Sequence, residues 1–588
     1  MKVRIFSKFI LVIVLLMGYI GFSQEFNNFE VRYQNNIKGD LTFIANNIVN
    51  RDGGSGTTRP NNAYNNLSTN NNPNAETGGE NNYNDYKNMQ YIDVDGDAST
   101  FSSSSATLTY PSPECNQIRY AGLYWSATYP SAQAGQAIGT GRQNDFNKVK
   151  LKVPGGAYVD VTANEILYDG FTSTDNSMRQ NSPYACYADV TSILSGLANP
   201  QGTYTIANVR SITGSLTPGG GAAAGWTLVI AYENPTSTGK LITTFDGFAR
   251  VRGANPQVDV NYTGFKTIPA GPVKANIGVA ALEGDYRIGG DQLSIKAASK
   301  AAFTTLSNAT NPADNFFNSN ITFNGAAVTN RNPNSANTLG YDTDFFFLDN
   351  PANASLPNSE TAATFRFTST GDQYYPFFNS FNVEIIEPEI DVTKNVEDVA
   401  GNDISNADVT LGQEMFYILK FRNIGNDNAV NFTLKDKLPT NVDFVPSGLV
   451  LPAPINGKAI TYVYDEVNHE IVFTVPNEFV EKGDPQYTIK LKVRVVPDCY
   501  RLRDACSNII QNTAYATYSG AFNNNVITDD PSVSKFDNCG YAVPGATNFL
   551  VNLDDCDFTR EQYLCGSTAT LTAGTGFDTY EWKDENGN

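Results

Sequence analysis

The sequence predicts an all-β protein, with a large N-terminal sandwich of jelly-roll type followed by smaller Greek-key sandwich modules. Charged residues make up only 17% of the 588 residues, whereas aromatic residues make up 12% and glycine occurs 48 times. Few charges, many aromatic side chains and many turn formers are typical of short strands joined by polar loops. Many segments alternate between apolar and polar residues with period two, most clearly 487–495. A chain of this length should hold about two to four domains.

Residues 1–23 are predicted to be a signal peptide, cleaved before Gln24. A basic start precedes the apolar run 9–16, and the small residues Gly21 and Ser23 follow it. The alternative is a retained N-terminal membrane anchor. No later segment reaches membrane-spanning length, so we expect an extracellular or cell-surface protein with no integral membrane segment in the mature chain. The formal net charge of −20 argues against nucleic-acid partners and favours attraction of divalent cations.

Residues 24–386 are predicted to form the large β-domain. Within it, segment 51–88 is rich in Asn, Gly, Thr and Ser and is interpreted as a long exposed or disordered loop. Residues 118–125, 203–209 and 226–232 have the composition of strands, and a short helix is expected near Asp189. The glycine-rich segment 219–225 lacks the Gly-Lys-Ser/Thr of a phosphate-binding loop, so we interpret it as a close-packed turn.

Three acidic segments of this domain are candidate binding sites. Asp93, Asp95 and Asp97 alternate around a glycine turn, which suits convergence of oxygen ligands on Ca²⁺; an ordinary Asp/Gly turn is the alternative. The other two segments would complete a calcium site, present carboxylates to a sugar, or only solvate loops. Their acids are Glu283, Asp285 and Asp291 in one, and Asp342, Asp344 and Asp349 in the other.

Aromatic pairs flank Pro376: Tyr374 and Tyr375 precede it, and Phe377 and Phe378 follow it. Exposed aromatic rings stack on sugars, but packing in a core or a domain seam is the more common use of such residues. We therefore prefer the core or seam interpretation.

Seven cysteines in an exported chain should mostly form disulfides. Cys115 and Cys186 stand alone in the first half and are natural partners. Five others lie near the end, so one of them has no partner in this chain. They are Cys499, Cys506, Cys539, Cys556 and Cys565. CxxC spacing is absent, which weakens any zinc or redox interpretation.

A second domain, 387–540, is predicted to begin after a proline-containing joint at Pro388. Residues 390–396 place apolar side chains on one face, which only Lys394 interrupts, and residues 417–421 alternate in the same way. A hairpin is expected around residues 466–469, and the strand 487–495 follows. Short strands with turn signals at this spacing are typical of a Greek-key sandwich.

Several of these motifs resemble known extracellular modules. Ala224–Glu233 followed by Phe245–Phe248 resembles a β-rich N-terminal domain of large bacterial and archaeal surface proteins. The motifs IDVTKNV, NIGN and LKDKLP resemble an extracellular repeat that serves as a stalk module in bacterial surface proteins. Residues 565–572 with 580–582 resemble strands B and C of an immunoglobulin-like domain. That resemblance implies a truncated further module at 541–588 and a chain that continues, and leaves Cys565 unpaired.

No catalytic signature emerges, because His469 is the sole histidine and no Ser-His or Cys-His pair can be built around it. We therefore expect a non-enzymatic cell-surface adhesin that mediates attachment or surface motility by binding surface glycans or other cell-surface proteins, with Ca²⁺ as its one candidate cofactor. Its composition and export signal resemble the repeat-rich adhesins of gliding Bacteroidetes that use type IX secretion. The alternatives are a structural filament or spacer component without a specific ligand, and an accessory region of a polysaccharide-active enzyme.

Overall fold

The computed structural model describes residues 27–51, 60–65, 84, 87–110, 115–216, 221–253, 257–497, 509–545, 547–552 and 582. The chain divides into two compact units, unit 1 (Met1–Ile385) and unit 2 (Ile386–Asn588). The predicted signal peptide, most of loop 51–88 and most of segment 541–588 lie outside the described residues. Within the described part, helices are short, and none is long and apolar enough to cross a membrane.

The described part of unit 1 consists of strands with two short α-helices, α1 (Asn176–Asn181) and α2 (Thr191–Ser195), and 3-10 turns at Gly170–Thr172 and Pro351–Asn353. Helix α2 occupies the position of the short helix predicted near Asp189. The strands are β1 (Glu30–Asn47), β2 (Val49–Arg51), β3 (Met89–Tyr91), β4 (Ser103–Leu108), β5 (Gln117–Thr128), β6 (Lys148–Lys152), β7 (Tyr158–Thr162), β8 (Glu165–Asp169), β9 (Pro183–Asp189), β10 (Gly202–Ala207), β11 (Ala224–Glu233), β12 (Gly239–Asp246), β13 (Gln257–Thr263), β14 (Ala275–Leu282), β15 (Asp291–Ala297), β16 (Thr304–Thr305), β17 (Ile321–Phe323), β18 (Ala326–Ala327), β19 (Arg331–Asn332), β20 (Tyr341–Phe347), β21 (Ala362–Ser369) and β22 (Tyr375–Glu384).

An 11-stranded sheet, in the order β18-β17-β20-β14-β22-β12-β1-β11-β5-β9-β8, forms the middle of unit 1. Its two halves face each other across an aromatic core that includes Tyr124, Tyr341 and Phe378. A 5-stranded sheet, β19-β4-β10-β6-β7, packs on the outer face of one half, and a 4-stranded sheet, β13-β21-β15-β16, packs on the other. The described part of unit 1 therefore has four β layers rather than the two of a simple sandwich.

Strand β1 joins the two halves of the large sheet. Its first part, Glu30–Lys38, pairs with β12, and its second part, from Gly39 onward, pairs with β11. At the change of partner, a Cβ on Gly39 would overlap the carbonyl oxygen of Tyr232 and lie 2.9 Å from the Cα of Glu233. Only glycine lets the two backbones approach this closely.

The inner position of the large sheet explains the composition of its strands. Every residue of β14 is buried, as is every residue of β11 except Glu233. A strand with a packed layer on each face reads as a continuous apolar run rather than an alternating one. The outer strand β21 faces a core on one side only, and its residues alternate between buried and partly exposed.

The described strands of unit 2 follow the joint at Pro388, with 3-10 turns at Pro446–Gly448 and Asn477–Phe479. They are β23 (Ile390–Asp398), β24 (Asp408–Val409), β25 (Glu414–Asn423), β26 (Ala429–Lys437), β27 (Val442–Phe444), β28 (Thr461–Asp465), β29 (Glu470–Thr474), β30 (Tyr487–Val495), β31 (Ile509–Asn512), β32 (Ala514–Gly520), β33 (Val526–Pro531), β34 (Val533–Phe536), β35 (Ala542–Pro544) and β36 (Thr547–Val551).

Unit 2 is a sandwich of a 6-stranded sheet, β27-β30-β25-β23-β34-β35, and a 5-stranded sheet, β28-β29-β26-β32-β33. A smaller sheet, β24-β36-β31, adds to the same core. The core side chains of β23 and β25 are those that the alternation predicted, including Val392, Val396 and Leu419. The predicted all-β class with sandwich packing is confirmed for the described residues of both units.

Replacing Gly39 by alanine should destabilise unit 1, because the added methyl group meets backbone atoms of β11 that cannot rotate away. We expect a loss of roughly 1–3 kcal/mol in the free energy of unfolding, measured by denaturant titration. Gly239→Ala is the matched control, since a Cβ there has only Ile385 Cγ1 nearby, at 3.8 Å. Equal stability of the two variants would contradict this role for Gly39.

Candidate functional site

A group of six buried carboxylic acids lies beside the core between the large sheet and the 4-stranded sheet of unit 1. We call it the acidic cluster. Each member has an exposed fraction of 7% or less. The members are Glu283, Asp285, Asp291, Asp342, Asp344 and Asp372.

The pairing of β14 with β20 brings together two acidic segments that are distant in sequence. Leu282 lies opposite Tyr341, so the turn after β14 runs alongside the start of β20. A Cβ on Gly284 in that turn would lie 2.5 Å from Asp342 Oδ2, which shows how close this carboxylate comes to the turn. Asp349, predicted with Asp342 and Asp344, is exposed and lies outside the acidic cluster.

In the described part of the chain, three of these carboxylates have one hydrogen-bonded oxygen each. Asp291 Oδ2 accepts from Phe317 N at 2.6 Å, Asp342 Oδ1 accepts from Asn320 N at 3.1 Å, and Asp344 Oδ1 accepts from Thr322 Oγ1 at 2.5 Å. Among the described residues, no hydrogen bond reaches the second oxygen of any of the three. An ionised carboxylate in such a place would be poorly solvated.

Burial therefore favours the protonated form of these acids. It raises the pKa of Asp344 to about 7 and, against hydrogen bonds from the backbone, raises the pKa of Asp291 to about 7. The pKa of Asp342 lies well above its usual range because of burial and, second, the charge of Asp344. The pKa of Asp372 is also raised by burial, with Asp285 as the next cause. Like charges in one low-dielectric site disfavour simultaneous ionisation.

The acidic cluster is closed to bulky ligands. Asp342 and Asp344 point into a packed core and are at most 1% exposed, so they do not present carboxylates to a sugar as one interpretation of the sequence proposed. In the part of the chain that the structure describes, no three His, Cys, Asp or Glu side chains are arranged to hold a metal ion. A calcium site at Asp342 and Asp344 stays a prediction. What the arrangement can do is store protons near neutral pH.

Asp93, Asp95 and Asp97 lie in a turn between β3 and β4. Asp95 Oδ1 accepts from Asp97 N at 2.8 Å, and Asp97 Oδ1 accepts from Ser99 N at 2.8 Å. Burial would raise the pKa of Asp95, but hydrogen bonds from Tyr158 and from Asp97 N hold it below its usual range. These bonds are those of an Asp/Gly turn, and the calcium interpretation stays a prediction.

The expected Cys115–Cys186 pairing is wrong, because Cys186 is a free thiol. Cys186 lies opposite Trp125 on β5, and Cys115 precedes the start of that strand. Ten extended residues span roughly 30 Å, whereas disulfide Cα atoms lie about 4–7 Å apart. Cys115 and Cys539 are each disulfide-bonded. The other four cysteines are outside the described residues: Cys499, Cys506, Cys556 and Cys565.

Two other candidate motifs have structural roles. Of the glycine-rich segment, Gly219 and Gly220 fall outside the described residues. Gly225 lies in β11 rather than in a turn, and a Cβ there would meet the Tyr341 ring at 2.5 Å, so the expected close packing is present. The aromatic residues around Pro376 are at most 3% exposed and pack in the cores of unit 1. These aromatic residues therefore do not form an exposed surface on which a sugar could stack.

Neither His469 nor Cys186 is placed for nucleophilic catalysis. His469 lies in the turn between β28 and β29 with a φ of 52°, and no hydrogen bond from the described residues reaches its buried Nδ1. Burial raises the pKa of the Cys186 thiol well above its usual range, so the reactive thiolate is disfavoured. These two positions offer no accessible nucleophile–base pair.

Sequence analysis missed two sets of polar residues. Asp372 belongs to the acidic cluster, and its Oδ2 accepts from Asp285 N at 2.9 Å, but nothing in its Gly-Asp turn pointed there. In unit 2, Lys394 and Asp436 form an ion pair whose side chains are 1% and 0% exposed. The signal for this pair was present, since Lys394 is the one charged residue on an otherwise apolar strand face.

Comparison with known proteins identifies a family but not an activity. A family model described as "Protein of unknown function (DUF3344)" matches residues 62–383. No curated protein matches the chain.

Among solved structures, the chain is similar to a major pilin subunit, a domain of a surface antigen and a domain of an adhesin. The BcpA pilin of Bacillus cereus is 11% identical, with coverage of 47% of this chain and 69% of that chain and a TM-score of 0.22. The C-terminal domain of the Streptococcus pyogenes antigen I/II-family protein AspA is 13% identical, with coverage of 50% and 92% and a TM-score of 0.22. The collagen-binding domain of a Staphylococcus aureus adhesin is 12% identical, with coverage of 24% and 93% and a TM-score of 0.17. Scores this low carry no argument about this chain.

The buried acids predict a specific pH dependence for unit 1. Because the pKa of Asp344 is higher in the folded state than its usual value near 4, the folded state binds an extra proton between about pH 4 and pH 7. Stability should be greatest below about pH 4 as far as this group is concerned, and should fall as the pH rises to about 7. Between pH 4 and pH 8, the free energy of unfolding of Asp344→Asn should therefore rise relative to that of the wild type by roughly 2–4 kcal/mol.

Denaturant unfolding at both pH values measures this difference. Asp160→Asn changes an exposed carboxylate of the same unit and should follow the wild-type pH dependence. If Asp344→Asn also follows the wild type, Asp344 is ionised in the folded protein and the assignment of a raised pKa is wrong.

Proposed function

We propose that this chain is the ligand-contacting and spacer part of an exported cell-surface attachment protein. The chain belongs to the DUF3344 family of proteins of unknown function. Unit 1, which holds the family match, would contact the ligand, and unit 2 would act as a load-bearing module of a stalk. The predicted signal peptide and the acidic charge support export and a partner that is not an anionic polymer. Surface glycans and surface proteins are the ligand classes that we propose.

The strand order of unit 2 is the observation that carries the load-bearing part of this proposal. The first strand, β23, has β34 as a parallel neighbour, and β24 has β36 as a parallel neighbour. In each pair, one strand lies near the start of unit 2 and the other near the end of its described part. Tension along the chain pulls two such parallel neighbours in opposite directions, so the bonds between them are loaded together rather than opened one at a time.

Calcium is part of the proposal at the Asp93–Asp97 turn. If this turn binds Ca²⁺, a chelator should lower the melting temperature of unit 1 in the wild type and have no effect on Asp95→Ala. Asp465→Ala removes a comparable turn aspartate of unit 2, where Asp465 Oδ1 accepts from Val467 N, and should keep the chelator response. A wild-type melting curve that is the same in calcium and in chelator removes calcium from the proposal.

Stretching single molecules of the full chain by their ends tests the load-bearing role. Val533→Pro deletes the N–H of a residue that lies opposite Thr393 in the β23–β34 pair, and should lower the force at which unit 2 first yields. Val463→Pro changes the edge strand β28, away from both parallel pairs, and should leave that force unchanged. Equal yield forces in the two variants would contradict the load-bearing role.

The attachment role needs two further measurements on intact cells and purified chain. The chain should be cleaved by protease added outside the cell, and the purified chain should bind a glycan or a surface protein in array format. We propose more specifically that it is an adhesin of gliding Bacteroidetes exported by type IX secretion, on the resemblance of its motifs and export signal alone. If external protease does not cleave the chain on intact cells, the surface role is wrong. If the chain is cleaved but binds no ligand in the arrays, only the spacer role remains.

A further inference from the structure

A buried ion pair interrupts the apolar core of unit 2. Lys394 on β23 and Asp436 on β26 reach across the sandwich, and their Nζ and Oδ2 atoms are 2.5 Å apart. The core around them includes Val396, Leu434 and Ala514. Removing two charges from water costs several kcal/mol per ion, and a pair of apolar side chains would often be as stable. An ion pair in this place therefore calls for a chemical explanation.

A third polar side chain, Asn512 at the end of β31, shares this part of the core. It is 3% exposed, and among the described residues neither of its amide atoms has a hydrogen-bond partner. Asn512 lies opposite Thr547 on β36, and Thr547 Oγ1 donates to the carbonyl oxygen of Lys394. Burying a carboxamide without a well-formed hydrogen bond is costly and calls for an explanation.

Tyr417 connects the ion pair to the amide. Lys394 Nζ lies 4.2 Å from the centroid of the Tyr417 ring. Burial raises the pKa of the Tyr417 hydroxyl well above its usual range; the charge of Asp436 adds to this rise, and the neighbouring Asn512 side chain opposes it. The ion pair and the ring contact place the amine and the carboxylate at Tyr417. Thr547, which lies opposite Asn512 and bonds to the carbonyl oxygen of Lys394, places the carboxamide in the same part of the core. We call Lys394, Tyr417, Asp436 and Asn512 the core polar cluster.

We propose that Lys394 and Asn512 form an intramolecular amide bond inside unit 2, with Asp436 carrying the protons. Asp436 takes a proton from the Lys394 ammonium, and the free amine attacks Cγ of Asn512. The Nζ–Cγ bond forms, the Cγ–Nδ2 bond breaks, and the proton held by Asp436 passes to the leaving nitrogen. Nζ releases its second proton to water as ammonia leaves, and the ammonia takes up one proton from water to become ammonium, so no oxidant, reductant or cofactor is required.

The surroundings suit each step. Burial lowers the pKa of Lys394 against the opposing effect of Asp436, which favours the neutral amine that is the nucleophile. Asp436 Oδ1 has no hydrogen-bond partner among the described residues, so it is available to hold the transferred proton near the amide. The product replaces a buried cation and a reactive carboxamide by one neutral amide. The bond is expected whether or not the chain attaches a cell to anything.

Peptide mass spectrometry of the reduced, full-length chain tests this proposal. Digestion should release a branched peptide that joins the segment around Lys394 to the segment around Asn512, lighter by one ammonia, about 17 Da, than the two segments together. Lys394→Arg, Asp436→Ala and Asn512→Ala should each lack the branched peptide. Lys435→Arg, next to Asp436 but 42% exposed, is the matched control and should keep it.

Two results would overturn the proposal. One is a wild-type digest in which Lys394 and Asn512 are recovered only in separate, unmodified peptides. The other is a branch that joins Lys394 to Asp436 with loss of water, about 18 Da, which would make Asp436 the acceptor rather than the proton carrier. The wild-type digest decides between these outcomes even if a variant fails to fold.

Discussion

Unit 1 depends on one strand that belongs to both halves of its large sheet. β1 pairs with β12 along its first part and with β11 along its second, and the change of partner at Gly39 turns one hydrogen-bonded ladder toward the other. The aromatic core lies between the two halves that this strand joins. A hydroxyl contact across it, between Thr227 Oγ1 and Thr343 Oγ1 at 2.7 Å, ties β11 to β20. The outer sheets then cover faces that the turn leaves apolar.

The class of the fold was predictable from the sequence, but the number of layers was not. Alternation with period two identifies a strand with one buried face, as in β21 and β30. The strands β11 and β14 are buried on both faces. Their continuous apolar sequences predict that they are internal strands, but not which sheets cover them. The local sequence of a strand does not predict a pairing partner that lies far away in the chain, as the partners of β1 do.

The functional residues were predictable only where a residue type conflicted with its surroundings. Lys394 conflicts with an apolar strand face, and that conflict marks the core polar cluster. In the sequence, Asp342 and Asp344 suggested a calcium site, a sugar contact or solvated loops, whereas the structure buries them and raises the pKa of each. Cysteine pairing could not be derived from spacing, because a partner depends on strand register that the sequence does not contain.

The position of β1 also determines when unit 1 can assemble. A chain made from its N-terminus presents β1 first, yet the partners of β1 lie at residues 225–246. Until those residues have emerged, β1 carries two unsatisfied edges and an apolar face, which is the kind of segment that associates with other chains. Slow, late closure is expected of a topology in which the central strand is the earliest one synthesised. Protection of this segment by a chaperone until residues 225–246 have emerged would therefore raise the yield of correctly folded unit 1.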